Sequence, residues 1–300
     1  MTQALPWSWE FFDTVTKTEK LKRSLLTIGL TVLCTAIIIL GLFELQAQRN
    51  QLQSDAREVI DSEILGEERQ LLVHLPRGYA EDTTTYPLLL VLDGSSKDFT
   101  LAQVSDILTT AGAMPPVITV SIPNTDRNRD LTPPFCAQET GGEIAGGGDD
   151  FLAFIVEEAL PVLHARYRTD GKQMLAGHSR AGLFTLYAQL ERPDIFTAYF
   201  CFSPAFWRDD HAIIAEAKNA WSKVDSLSTF LYLSLGTEEN DKMRKGYQAI
   251  TKLLDQTLVP GLSVVHEDTP GANHQSNTYL SAPSALGAWG HYLRNKELKE

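Results

Sequence analysis

The sequence predicts an α/β fold, in which a mostly parallel central sheet is covered by helices on both faces, with one transmembrane helix in front. Short apolar runs alternate with helical stretches of about 10 to 18 residues, the pattern of a parallel sheet buried on both faces. The 300-residue chain is 43% hydrophobic and 21% charged, so it is globular and long enough to bury a sizeable core. A charge-free run near the N-terminus has the length of a membrane span.

The strand predictions rest on near-continuous runs of apolar and β-branched residues, and the helix predictions on amphipathic periodicity. We predict strands over 69–75, 86–92, 117–122, 173–176, 198–202, 230–235 and 262–266. The clearest helices are predicted over 149–168, 180–191, 241–256 and 284–296. Strands and helices therefore alternate along most of the chain.

The N-terminal region predicts an anchor in a membrane. Residues 24–43 carry no charge and number about 20, which is enough to span the hydrocarbon core as a helix. Four basic residues precede the span: Lys17, Lys20, Lys22 and Arg23. The positive-inside bias keeps such an N-terminus cytoplasmic and places the rest of the chain in the periplasm or otherwise outside the cytoplasm. A cleaved secretory signal is the alternative, but the apolar run is long and Leu45-Gln46-Ala47 is a poor cleavage site.

This organisation gives four predicted parts: a cytoplasmic segment at 1–23, the anchor at 24–43, a polar stalk at 44–58 and the α/β domain at 59–300. The net charge of −12 argues against nucleic acid as a partner, because both would be negative. Cys34, Cys136 and Cys201 lack metal-ligand spacing, so neither a metal nor another cofactor is expected. Outside the cytoplasm Cys136 and Cys201 could pair, although buried thiols are the more common outcome.

Ser179 is the candidate nucleophile. The predicted strand at 173–176 runs into Gly177-His178-Ser179-Arg180-Ala181-Gly182 and then directly into a helix. A serine on such a tight strand-to-helix turn exposes its hydroxyl, and small neighbours let the backbone bend sharply. The sequence departs from the G-x-S-x-G pattern at Ala181, but alanine is small enough for most such turns.

The serine needs a base, and the base needs an orienting acid. His274 lies in a loop just after the last predicted strand, where this chain order places the base, whereas His266 ends a strand and His291 lies in a helix. Three carboxylates follow the strand at 230–235: Glu238, Glu239 and Asp241. Spacing from Gly236 favours Glu239, with the other two as alternatives. The oxyanion hole is expected from the backbone N–H groups of Arg180 and Ser95.

Several segments together resemble the esterase-D-like branch of the α/β-hydrolases over roughly 62–293. They are Leu92-Asp93-Gly94, the segment 127–133 with the sequence RNRDLTP, the phenylalanine-rich helix from Phe151, the segment 176–179, Phe202-Ser203-Pro204-Ala205-Phe206-Trp207 and the turn 236–239. The resemblance implies an α/β-hydrolase fold and an esterase with Ser179, His274 and Glu239 as catalytic residues. Within that branch, siderophore trilactone esterases look most similar, and some of them are thought to work with serine and histidine alone, which keeps a dyad open.

The resemblance also suggests residues that contact a substrate. Arg127 and Arg129 are candidates for holding an anionic group such as a catecholate, with structural ion pairing as the alternative, and Trp207 is a third candidate. Hydrolysis of a small-molecule ester through an acyl-enzyme is the expected reaction. Acyl transfer to an alcohol and a non-catalytic binding role are the alternatives, although both the serine and the histidine are present.

Overall fold

The computed structural model describes Thr35 and residues 54–94, 98–140 and 146–298. Apart from Thr35, the predicted anchor at 24–43 lies outside these residues, as do the segment 1–23 and most of the stalk. Within the described part of the chain, no helix combines the length and the apolar character needed to cross a membrane. The chain divides into two units, Met1–Gln53 and Ser54–Glu300, and the sheet lies in the second.

Eight strands of the described region form one sheet in the order β1-β2-β4-β3-β5-β6-β7-β8. They are β1 Ala56–Ser62, β2 Glu67–His74, β3 Tyr86–Leu92, β4 Ile118–Ile122, β5 Thr169–His178, β6 Ala198–Phe202, β7 Thr229–Gly236 and β8 Leu262–Thr269. β1 pairs with β2 and β2 with β4 in antiparallel fashion, and the remaining neighbours are parallel. The predicted mostly parallel sheet is therefore confirmed.

Helices connect these strands. They are α1 Asp98–Thr110, α2 Arg127–Asp130, α3 Gly148–Ala153, α4 Leu160–Arg166, α5 Arg180–Glu191, α6 Arg208–Trp221, α7 Asp241–Gln256 and α8 Asn277–Glu297. A 3₁₀ segment, Pro134–Thr140, follows α2, and the π-helical turn Phe154–Ala159 joins α3 to α4.

The core lies on both faces of the sheet, and β3 shows how one strand serves both. Leu88, Leu90 and Leu92 belong to the larger apolar cluster, whereas Leu89 and Val91 belong to the cluster on the other face, which includes residues of α8. Because successive side chains of a strand point to opposite faces, a continuous apolar run is needed for such a strand. This is the reason that the pattern predicted β3 correctly.

Two parts of the fold differ from the prediction. Strand β1 begins at Ala56, inside the range predicted as stalk; its buried positions include Glu58 and Ser62, so it lacks an apolar signal. Helix α8 begins at Asn277 rather than 284, because Pro283 is accommodated inside the helix although proline usually ends one. Cys136 and Cys201 are buried thiols and are not joined in a disulfide.

Candidate active site

Ser179 lies between β5 and α5 in a backbone conformation that few residues adopt, with φ 60° and ψ −115°. Its neighbours hold this conformation: the Ser179 N–H donates to the Phe202 carbonyl at 2.9 Å, and the Ser179 carbonyl accepts from the N–H of Ala205 at 2.9 Å. A strained conformation persists only where the surroundings determine it, and such positions cluster at functional sites. The turn predicted at Ser179 is present.

Glycine is required at one position of this turn, and a side chain would be crowded at a second. A Cβ on Gly177 would lie 2.2 Å from the carbonyl oxygen of Ala181, and one on Gly182 would lie 3.1 Å from Cα of Pro204. Ala181 is completely buried and fits its site. The close approaches therefore fall at residues 177 and 182, which explains why alanine is tolerated at residue 181.

The side chains of Ser179, His274 and Glu239, here called the serine site, form one hydrogen-bonded line. Nε2 of His274 lies 3.1 Å from Oγ of Ser179, and Nδ1 lies 2.8 Å from Oε2 of Glu239. An ionised carboxylate can only accept, so Nδ1 carries the hydrogen and Nε2 of the neutral ring is the acceptor that faces the hydroxyl. His274 is one-third exposed and Glu239 is buried, so the line runs from the interior to the surface.

Only Glu239, among the three carboxylates that the sequence left open, contacts His274. The side chains of Glu238 and Asp241 are exposed, and Asp241 is the first residue of α7. The backbone directs this outcome, since the Glu238 N–H donates to the Ala272 carbonyl at 2.9 Å. His266 and His291 contact Asp255 and Asn295, respectively, outside the serine site.

Glu239 is held by further hydrogen bonds to its other carboxylate oxygen. Oγ of Ser203 donates to Oε1 at 2.5 Å and the Gly236 N–H donates at 3.2 Å. Nδ2 of Asn277 donates to Ser203 Oγ at 2.9 Å. Burial raises the pKa of Glu239, but hydrogen bonds from His274, Ser203 and a backbone N–H outweigh burial and hold the pKa below its ordinary value. Glu239 is therefore ionised at neutral pH.

His178, the last residue of β5, also contacts His274. It is buried, its Nε2 lies 2.7 Å from the carbonyl oxygen of His274, and the two rings have centroids 4.6 Å apart. His178, Ser203 and Asn277 were not predicted as site residues. Ser203 and His178 lie in segments that the sequence comparison had singled out, but their contacts join residues 36 and 96 positions apart, which a local pattern does not show.

The oxyanion hole is described only in part, because Ser95 lies outside the described residues. Arg180 is the first residue of α5, and the first N–H groups of a helix point out of its N-terminal end. Its side chain donates to Oγ1 of the buried Thr132 at 2.6 Å. Thr132 belongs to the segment 127–133, so this segment braces the turn that carries Ser179.

The two arginines of that segment are engaged by carboxylates. Nε and Nη2 of Arg127 donate to Asp93, with Nη2 2.5 Å from Oδ2. Arg129 belongs to a group of paired charges here called the Arg69 cluster, which consists of Arg69, Asp130, Glu67 and Arg129. Arg129 donates through all three of its nitrogens, so ion pairing accounts for its position. The side chain of Arg127 remains 40% exposed.

Trp207 lines a cavity of about 480 Å³ together with Asp210, His211, Asp241, Lys242 and Lys245. Its indole N–H donates to the sulfur of Met243 at 3.0 Å, and Nζ of Lys242 lies 3.3 Å from the ring centroid. Two residues that line the cavity, Asp210 and His211, have positive φ, as does the preceding Asp209. This volume lies within the range of small-molecule sites.

The strand order and the strained serine between β5 and α5 define the chain as an α/β-hydrolase. Within that class it belongs to the "putative esterase" family, whose model matches residues 62–242, more than half of the chain.

Curated relatives include esterases of siderophores. The siderophore enterobactin esterase of Emericella nidulans is 33% identical over 149 residues, which are 43% of this chain and 49% of that protein. The siderophore triacetylfusarinine C esterase of Aspergillus fumigatus is 38% identical over 94 residues, 31% of each protein. The matched regions thus span about half or less of these two relatives. An IroE-like serine hydrolase from Shewanella oneidensis is 26% identical, with a TM-score of 0.73 over 79% of this chain and 80% of that one.

Proposed function

We propose that the chain is a serine carboxylic-ester hydrolase that works through an acyl-enzyme. The observation that carries this proposal is the line of hydrogen bonds from Ser179 through His274 to Glu239, with distances of 3.1 and 2.8 Å. Both distances are within the range in which a base activates a nucleophile and an acid orients the base. Membership in the "putative esterase" family supports the same chemistry.

The proposed reaction has two halves. Nε2 of His274 takes the proton of Ser179 as Oγ attacks the ester carbonyl, and the protonated ring then gives that proton to the departing alcohol. Water, activated by the same nitrogen, hydrolyses the acyl-serine and regenerates the enzyme. Glu239 keeps Nδ1 protonated and stabilises the imidazolium, while the Arg180 N–H stabilises the oxyanion.

We propose a siderophore ester, or a similar ester with several acyl groups, as the substrate class. The curated relatives named for enterobactin, triacetylfusarinine C and bacillibactin support this choice. Trp207 and Arg127 are the proposed substrate contacts, since Trp207 lines the cavity and Arg127 presents a partly exposed cation. Arg129 is withdrawn from that role because its nitrogens are engaged by carboxylates.

A substrate panel tests the proposal. The protein should hydrolyse p-nitrophenyl esters and at least one of enterobactin, bacillibactin and triacetylfusarinine C, each offered with and without iron. During turnover of a p-nitrophenyl ester, mass spectrometry should find the acyl mass on the peptide that contains Ser179. Turnover without that adduct, even after acid quenching, would contradict the acyl-enzyme. If most of the acyl group is transferred to an added alcohol rather than to water, the protein is an acyltransferase.

We also propose that residues 24–43 anchor the protein in a membrane, with the N-terminus cytoplasmic and the hydrolase domain outside the cytoplasm. The charge-free span and its basic flank support this topology. A reporter fused after Glu300 should be active only outside the cytoplasm and should fractionate with membranes. A mature N-terminus that begins after Ala47 would replace the anchor with a cleaved signal.

A further inference from the structure

The loop that carries His274 is attached to the strand that ends at the nucleophile. His178 is the residue directly before Ser179, and its Nε2 lies 2.7 Å from the carbonyl oxygen of His274. A carbonyl oxygen has no hydrogen to give, so Nε2 of His178 must be the donor. Because both the neutral Nε2–H tautomer and the imidazolium have this hydrogen, the contact can form in either charge state.

The backbone on both sides of His274 is held by other contacts. Before it, the Ala272 carbonyl accepts from the Glu238 N–H at 2.9 Å; after it, the Asn277 N–H donates to the Asn273 carbonyl at 3.0 Å as α8 begins. His178 holds the His274 peptide itself, which lies between these two points. The orientation of that peptide sets the direction in which the imidazole leaves the backbone.

We propose that His178 is a positioning residue for the reaction: its side chain fixes the backbone of His274, so that one strand end sets both the nucleophile and the base. This inference rests on the proposed function. Ser179 and His178 are consecutive, so a shift of β5 moves the hydroxyl and the support of the imidazole together. The Nε2 to Oγ distance of 3.1 Å is thereby kept. A misplacement of about 1 Å in such a pair costs about 100-fold in rate.

Substitutions of His178 by side chains of different length test the inference in the full-length protein. The amide nitrogen of glutamine reaches nearly as far as Nε2 of histidine, whereas that of asparagine is too short. His178→Gln should therefore keep at least a third of the wild-type kcat on a p-nitrophenyl ester. His178→Asn and His178→Leu should lose kcat by about 10- to 100-fold with KM within twofold, because substrate binding does not involve this contact.

A second histidine, His164 of α4, provides the control because it contacts the same strand. Nδ1 of His164 lies 2.6 Å from Oγ1 of Thr169, at the opposite end of β5. His164→Gln should keep kcat and KM near wild type. If His178→Asn matches His178→Gln in kcat, or if the loss appears in KM alone, the positioning role is wrong. Equal losses of kcat in all three His178 variants, parallel to their losses of thermal stability, would also overturn it.

Hydrogen exchange gives a readout that does not depend on catalysis. Amides of the loop 270–276 should exchange faster in His178→Asn than in His178→Gln, and Ser179→Ala should exchange like wild type. Unchanged exchange in His178→Asn would overturn the inference even in an active enzyme. If the wild type hydrolyses no ester at all, the proposed function fails while this measurement still decides whether His178 holds the loop.

Discussion

The Arg69 cluster and the serine site use similar charged groups in opposite ways. In the Arg69 cluster, two guanidinium groups meet two carboxylates, and Arg69 and Asp130 are fully buried with Nη1 and Oδ2 2.6 Å apart. The Arg69 guanidinium also lies 5.0 Å from the ring centroid of Phe151. In the serine site, one buried carboxylate meets a histidine that is one-third exposed. The cluster balances its charges and buries Arg69 and Asp130 completely, whereas the serine site leaves one nitrogen and one hydroxyl available for chemistry.

This contrast explains which arginine of the segment 127–133 stays a candidate for substrate contact. Arg129 joins the balanced cluster, whereas Arg127 pairs with Asp93 and remains partly exposed. Buried ion pairs contribute little net stability, but removing one partner leaves an uncompensated charge. Changes in the cluster should therefore affect stability, and changes in the serine site should affect rate.

The largest expected effect is at Ser179. Ser179→Ala should lower kcat on a p-nitrophenyl ester by about 10,000-fold or more, because it removes the hydroxyl that faces Nε2 of His274. The thermal midpoint should stay close to that of wild type. Ser284→Ala is the matched control, since the Ser284 hydroxyl donates to Glu267 at the surface at 2.7 Å. An active Ser179→Ala protein would contradict the proposal that Ser179 is the nucleophile.

The next effect separates a triad from a dyad. Glu239→Gln should lower kcat by about 1,000- to 10,000-fold with little change in KM, because the lost interaction is with an imidazolium formed during the reaction. Glu238→Gln and Asp241→Asn should stay near wild type, since both side chains are exposed. Steady-state kinetics on one ester, with circular dichroism to confirm folding, checks all three. Activity in Glu239→Gln would indicate a Ser179 and His274 dyad.

Asp130 should show the reverse behaviour. Asp130→Asn should lower the free energy of unfolding by about 3 to 5 kcal/mol, because Arg69 loses its buried partner. Its kcat should remain near wild type at temperatures where it is folded. Arg77→Gln is the control, since Arg77 is 80% exposed and lies 3.7 Å from Asp106; its effect should be within about 1 kcal/mol. Denaturant unfolding measures both, and equal losses would contradict the contrast between the regions.

The smallest expected effect is on the stability of the fold at acidic pH. Glu239 has a pKa below the ordinary 4.5 despite burial, because of its hydrogen bonds, so its ionised form stabilises the fold above about pH 4.5. That contribution should disappear as the pH falls through the lowered value. Hydrogen bonding to Arg129 likewise lowers the pKa of Glu67, but solvent screens this more exposed group. Stability should therefore depend less on pH between 3 and 5 in Glu239→Gln than in wild type, with a smaller change in Glu67→Gln. Identical slopes in all three proteins would contradict this.

Most of the parallel sheet could be predicted because its strands are continuous apolar runs, as in β3 and β6. Strand β1 could not, because Glu58 and Ser62 occupy buried positions through partners far along the chain; the Tyr167 hydroxyl donates to Glu58 at 2.6 Å. In the serine site, spacing and family resemblance pointed to the correct carboxylate, Glu239, for the contact with His274. The catalytic roles and the membrane anchor stay predictions.

The ion-pair partners of Arg127 and Arg129 could not be predicted from the segment 127–133 itself. Arg127 meets Asp93 and Arg129 meets Glu67, which lie 34 and 62 positions earlier in the chain. A segment rich in arginine is equally consistent with an anion site and with internal ion pairs until those partners are placed. The hydrogen bond from Ser203 to Glu239 could not be predicted for a similar reason, since it depends on the adjacent ends of β6 and β7.

Burial in the sheet protects the Cys201 thiol from oxidation and from disulfide exchange. Cys201 lies in β6 with no exposed surface, and burial raises the pKa of its thiol far above the ordinary value. Thiolate is the form that attacks disulfides and is oxidised by peroxide, so this sulfur is unreactive while the sheet is folded. Alkylating reagents should modify it only after unfolding. Burial of this thiol therefore protects the folded sheet at Cys201 in reducing and in oxidising surroundings alike.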